Sequence, residues 1–345
     1  MIRMIAFALA LGVTIAPTQK SSPVSPPPWM DELLDSYANG NYPAFDDSLR
    51  GAIHTGTASA LPQFLLVLKK SAPAWIKRAP AGEQERRRLV VAAVSLEGAN
   101  RGGLDNWPAA RAVIEWACQL VRQNRRALPA ERTWHWGAIS IFEGAADASP
   151  AQVHVSHALS RFPNDPRFLL ARGIATELRT WPDPRDGKTP RERDASTVGL
   201  TVLRLDEARR FDEVRAEASL HLGYLALRNR DASESLPYFR ESAKPGVDPF
   251  IRYLAQLFQG RALEALHKPA DAIAAYHGAI AAEPGQTAQL ALAAALARTG
   301  QQDAAADAAA ASMRGVTVID PWIIYGRGDA RFWPEISARL RQEIR

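Results

Sequence analysis

The chain has 345 residues, 47% hydrophobic and 23% charged, which is ordinary globular usage and excludes a wholly disordered protein. Its single cysteine, Cys118, excludes an internal disulfide framework, a cysteine zinc finger and an iron–sulfur centre. The net charge of +5 gathers in Lys77-Arg78, Arg86-Arg87-Arg88 and Arg122 to Arg126, with no interleaved aromatics and no nucleic-acid module. These runs read as solvated helix faces, and no nucleic-acid partner is expected.

Along the chain, Arg3 precedes an uncharged apolar run, Ile5 to Ile15. That run is too short to span a bilayer comfortably and has the length of a signal core, with small residues at Thr14 and Ala16. Residues 1–16 therefore read as a signal peptide or, if uncleaved before Pro17, an N-terminal membrane anchor. Residues 17–28 form a Pro/Ser-rich linker, extended because proline fixes φ and lacks a donor. The expectation is an exported protein, periplasmic or secreted. No cysteine follows the run, so it is not a lipoprotein.

From residue 29 to 150 the pattern is helical but irregular. Helices are predicted at Ser59–Lys77, Glu83–Gly98, Ala109–Asn124 and Thr133–Ala145, and Asp35 to Leu49 resembles the turn of a repeat, with Gly40 in the loop and Phe45 as its aromatic. From 151 to 315 the helices repeat. Leu220, Tyr224 and Leu227 recur at helical spacing, as do Leu254, Leu257, Phe258 and Leu263. A polar stretch with three prolines, 181–196, reads as a long loop inside this array. Val316 to Ile319 is the one short strand candidate. Residues 316–345 read as an aromatic plug and a final amphipathic helix from Pro334, capping the array.

The repeat is clearest in Gln256 to Pro284, where Gly260, Ala272, Tyr276, Ala279 and Pro284 follow one another as small, small, aromatic, small and stop. Gly223, Ser235, Phe239 and Ser242 occupy the same places 37 residues earlier, and Ala293, Ala305, Ala309 and Ser312 do so 33 residues later. Small residues let two helices of a hairpin approach, the aromatic fills the gap, and proline ends the second helix. This spacing resembles the tetratricopeptide repeat (TPR) family, in an exported bacterial form. The resemblance implies an all-α solenoid of helix hairpins, here with a more irregular helical N-terminal half. It also implies a non-catalytic scaffold that presents a concave groove to a protein or peptide partner. Carried over position by position, the groove is lined by Glu217, Leu220, Tyr224 and Leu227 in one unit and by Leu254, Leu257, Arg261 and Glu264 in the next. The form of this family that clamps a C-terminal carboxylate uses asparagines and lysines at such places. This chain has Tyr224, Arg261 and Ala294 instead, so that activity is not implied.

No hydrolase elbow, P-loop or dinucleotide fingerprint is present, and no catalytic residue, metal ligand or cofactor is expected. His154 and His157 lie three apart but lack an HExxH context. Cys118 sits among apolar residues, where it behaves as a small hydrophobe, and no base for it is visible. Two other readings stay open. One is a cell-wall glycan or small-ligand module using Trp134, Trp136, Trp322 and Trp333. The other is an enzyme with a site in region 50–150. Arg327-Gly328-Asp329 spells an integrin-ligand tripeptide, and its bulky neighbours mark it as accidental.

Overall fold

The computed structural model describes residues 28–55, 58–102, 106–181, 187–314 and 319–345. The expected signal peptide or anchor and all of the linker before Pro28 lie outside the described residues, as does most of the strand candidate at 316–319. Among the described residues, eighteen α-helices account for nearly all regular structure. No helix among them is long and apolar enough to cross a membrane.

The N-terminal half holds α1 (Pro28–Ala38), α2 (Tyr42–Ile53), α3 (Leu61–Lys77), α4 (Gln84–Gly102) and α5 (Trp107–Val121). Between α2 and α3 lies a two-rung antiparallel pair, β1 (His54–Thr55) with β2 (Ala58–Ser59), that the sequence pattern does not announce. Hairpins follow: α6 (Pro129–Gly144) with α7 (Ala148–Arg161), and α8 (Pro166–Glu177) with α10 (Ala195–Ala208). Three more are α11 (Asp212–Arg228) with α12 (Ala232–Ser242), α13 (Pro249–Ala265) with α14 (Pro269–Ala282), and α15 (Gln286–Arg298) with α16 (Gln302–Arg314). Each second helix also packs on the first helix of the next hairpin, and first helices touch first helices from α6 through α8 and α11 to α13. The fold is therefore an all-α stack of hairpins.

Local chemistry explains the starts. Asp165-Pro166, Asp248-Pro249 and Asp320-Pro321 each open a helix, the aspartate accepting from backbone N–H groups two residues on at 2.8–3.0 Å. The aspartate satisfies an orphan donor, and proline at the first helical place has no N–H to waste. The stretch read as a loop over 181–196 is shorter than that. Thr189 and Glu192 form a capping box that starts a one-turn helix, α9 (Pro190–Arg193), and α10 begins at Ala195.

The repeat positions explain the hairpin packing. A Cβ at Gly260 would collide with the Tyr276 ring, and one at Gly223 with the Phe239 ring, so only glycine lets each aromatic seat. Ala272, Ala279, Ser235 and Ser242 are fully buried beside them. Gly173 plays the same part in α8, here against Leu205 of α10. That hairpin escapes the repeat pattern because residues 178–194 are inserted between its helices.

The last segment does not cap the free end of the stack. It comprises α17 (Pro321–Tyr325), a 3₁₀ turn (Gly328–Phe332) and α18 (Trp333–Glu343). It runs back along the first helices; α18 inserts Ile336 and Leu340 into the core of the N-terminal half, and Ile344 just past its end joins them. Gly137 in α6 makes room for Ile336. Ser337 and Arg341 donate to Glu97 at 2.6 and 3.0 Å, and Arg341 also pairs with Asp46 at 2.7 Å.

Candidate functional site

The residues assigned to the groove from sequence lie on α11 and α13. The structure brings most of them together, but not as an open surface. Glu217, Leu220, Tyr224, Leu254 and Leu257 are buried, and Leu227 is half-buried against the same core. Leu254 and Leu257 pack within the helical stack. Arg261 is exposed, and Glu264 pairs with Arg298 of α15. What covers Glu217 and Tyr224 is the chain's own residues 320–332, here called the strap.

The strap is held at four places. First, the Asp320 carboxylate accepts from the Thr287 N–H at 2.7 Å and from the Tyr253 hydroxyl at 3.1 Å, at the N-terminus of α15. The Tyr253 hydroxyl in turn accepts from the Ala288 N–H at 3.1 Å. Burial pushes the Tyr253 phenol well above its ordinary range, so it remains a donor to Asp320. The carboxylate complements the exposed N–H groups of a helix start.

Second, Trp322 and Tyr325 enter an aromatic cage. Trp322 meets Tyr224 edge-on at 5.4 Å and Phe258 at 5.3 Å, Trp181 lies 6.2 Å away, and Tyr224 stacks on Phe258 at 4.4 Å. Each such ring pair adds about 0.5–1.5 kcal/mol to the burial of its area.

Third, Tyr325 stacks on His221 at 4.8 Å, and its hydroxyl lies 3.2 Å from Glu177 Oε1 and 3.0 Å from His221 Nδ1. Glu177 Oε2 is 2.6 Å from the same nitrogen. With Glu177 the acceptor, the histidine proton sits on Nδ1.

Fourth, three carboxylates meet two guanidiniums. Arg331 donates to Glu217 at 2.7 Å, and Arg167 lies 3.6 Å from Glu217 and 3.3 Å from Asp329. Asp329 also accepts from Trp136 Nε1 at 2.7 Å, and its N–H donates to Glu143 at 3.0 Å. Burial opposes the charge on Glu217, but Arg331 and Arg167 overcome it and hold the carboxyl below its usual range. Burial, reinforced by Asp329, drives Glu143 well above the usual range, and burial raises Asp329 as well against the pull of Arg167. Gly328, at φ +51°, turns the chain where a Cβ would strike Glu143. The Arg327-Gly328-Asp329 tripeptide is thus folded in, with Asp329 buried.

The alternative readings fare unevenly. Trp134 and Trp136 are buried between helices, so neither offers a face to a sugar. Trp322 is in the cage. Trp333 is half-buried and, with Trp107, Asn100, Ser140 and Arg327, lines a crevice of about 190 Å³. At the edge of region 50–150 a cavity of about 320 Å³ is lined by Cys118 and Arg122 from that region and by His154 and His157 from α7. A histidine neighbour that sequence could not supply for Cys118 is present: His157 Nδ1 lies 3.4 Å from its sulfur, contributed by α7. Arg122 lies 3.3 Å from His157 Nε2 and can only donate, so Nε2 accepts and Nδ1–H points at sulfur. Burial nevertheless pushes the thiol up to about 11 and His157 down, which is the reverse of an activated pair. Among the described residues no group of three or more metal-ligating side chains is assembled.

No protein-family model matches the chain, and no curated protein matches it. Solved structures do. A tetratricopeptide repeat protein from Parabacteroides merdae ATCC 43184 is 13% identical, with a TM-score of 0.48 over 91% of this chain and 99% of that one. MamA is 18% identical, with a TM-score of 0.37 over 50% of this chain and 89% of its own. Human IFIT1, as a dimer with PPP-AAAA, is 11% identical, with a TM-score of 0.43 over 81% of this chain and 70% of its own. All three TM-scores fall below 0.5, so the fold description rests on the helix packing above.

Proposed function

We infer that this chain is a non-catalytic protein-interaction scaffold whose recognition surface is the face of its first helices, and that it works outside the cytoplasm. One observation carries the reading. That face takes a peptide segment, the strap, into specific side-chain contacts spread over α6, α8, α11, α13 and the start of α15. A surface that seats an aromatic, an acid and an arginine of one short segment has the chemistry of peptide recognition. Export is supported by the order of charge, apolar run and Pro-rich tether in residues 1–28.

The test is a photo-crosslinking side chain at the exposed position 261, in the full chain, in the cell that makes it. A discrete protein adduct in the fraction outside the inner membrane is expected. No adduct at 261, nor at other exposed positions of α13 and α15, would overturn the scaffold reading. The glycan or small-ligand alternative keeps the crevice between Trp107 and Trp333. Calorimetric titration with cell-wall fragments tests it, and heat that disappears in Trp333→Ala would favour it.

A further inference from the structure

The strap shows what this face accepts. Its Asp320 seat offers N–H and O–H donors, from Thr287 and Tyr253, to a group that can only be an acceptor. The cage of Tyr224, Phe258 and Trp181 takes two aromatics spaced one helical turn apart, Trp322 and Tyr325. Glu177 and His221 meet a hydroxyl at the rim of the second ring. Glu217 meets a guanidinium, and Arg167 a carboxylate two residues before it.

The same groups make an empty face costly. Glu217 and Arg167 are both largely buried, and removing Arg331 and Asp329 would leave them short of partners. Unpaired buried charge is among the most destabilising changes a protein can suffer. The face is therefore suited to exchanging one occupant for another, not to standing open. The strap is also built to leave without unfolding its anchor. Its helix α17 is a single turn, Ile323 points outward and is 56% exposed, and Gly326 and Gly328 lie before α18. α18 keeps its own separate hold on Glu97 and Asp46.

Building on the scaffold reading, we propose that residues 320–332 occupy the recognition face in cis as a stand-in for the partner. The partner then presents a segment of the same chemistry: an aspartate before a proline-led turn, two aromatics three residues apart, and a following acid–arginine pair. It enters by displacing the strap, so the free chain is self-inhibited.

The test uses the full chain carrying Trp322→Ala and Tyr325→Ala, and a fluorescein-labelled synthetic peptide of residues 319–333. Fluorescence anisotropy is expected to show saturable binding to this variant at least tenfold tighter than to the unaltered chain. Binding should be lost on adding Glu217→Gln to the protein, or Asp320→Asn together with Arg331→Gln to the peptide. Circular dichroism and urea unfolding establish that the variant is folded. If it is not, Asp320→Asn alone, which leaves the aromatic packing in place, takes its role with the same expected result. Absence of binding to a folded variant overturns the proposal. So does equal binding to the unaltered chain, which would put the peptide elsewhere. Either failure leaves the scaffold reading standing as long as adducts form at position 261.

Discussion

Arg331, in the 3₁₀ turn near the C-terminus, lies 2.7 Å from Glu217 in the first half of α11, 114 residues away in sequence. Its guanidinium also sits over the rings of Phe250 and Phe332, at 4.5 and 4.3 Å. Glu217 is the first residue that the repeat register assigns to a partner-binding groove. Its partner in the free chain is the chain itself.

The last helix belongs to the core of the N-terminal half. Leu340 is fully buried there, beside Ile336. Leu340→Ala is expected to cost about 2–5 kcal/mol, the usual range for emptying such a site. Urea unfolding followed by circular dichroism measures it, and a loss typical of a surface position would show that α18 is not part of that core.

Two helix glycines should respond in opposite directions. Gly260→Ala drives a methyl into the Tyr276 ring and is expected to destabilise by about 1–3 kcal/mol, overpacking outweighing better helix propensity. Gly199 in α10 has open space around it, so Gly199→Ala should stabilise by about 0.5–1 kcal/mol. Melting temperatures of the two variants, measured side by side, check the contrast.

Acid sensitivity should have a contribution from His154. Burial, with His157 adding to it, pushes this ring down to about 3. Above pH 6.5 it is neutral whether the chain is folded or not. As pH falls below 6.5 the unfolded chain binds a proton that the folded chain refuses, which removes stability by about 1.4 kcal/mol per pH unit until pH nears 3. His154→Phe keeps the stacking on Phe142 and removes the titration. Between pH 7 and 5 the variant should therefore lose roughly 2 kcal/mol less than the unaltered chain. Urea midpoints at both pH values give the difference.

Cys118 should behave as a structural thiol despite its histidine neighbour. It is 3% exposed and its thiol is pushed up to about 11 by burial, with Arg122 pulling the other way. Alkylation by iodoacetamide at pH 7.4 is expected to be slow in the native chain and fast in urea. Fast native labelling would show that His157 activates the sulfur.

Much of the fold was legible because the spacing has a steric cause. Gly260 with Tyr276 and Gly223 with Phe239 are contacts that a sequence register can find, since both partners lie in one hairpin. The α8–α10 hairpin was harder to see, because Leu205 replaces the aromatic and an insertion breaks the period. The sequence shows the aromatic segment and the final amphipathic helix from Pro334, but not their destination. Glu217–Arg331, Trp136–Asp329 and Glu177–Tyr325 join residues more than a hundred apart, and no local pattern encodes such pairings. The Cys118–His157 contact was missed because it joins α5 to α7, 39 residues apart, and no spacing rule links those helices. Asp-Pro at 165, 248 and 320 is a signal that sequence reading passed over and that could have marked the strap as another helix start.

The central claim is that the C-terminal segment sits on the face of the first helices in solution. A double-mutant cycle in urea unfolding, with Glu217→Gln, Arg331→Gln and the pair, tests it most directly. Seating in cis predicts a coupling of about 1.5 kcal/mol or more, as for close buried charge pairs. A coupling within about 0.3–0.5 kcal/mol of zero, as for residues that do not touch, would contradict it.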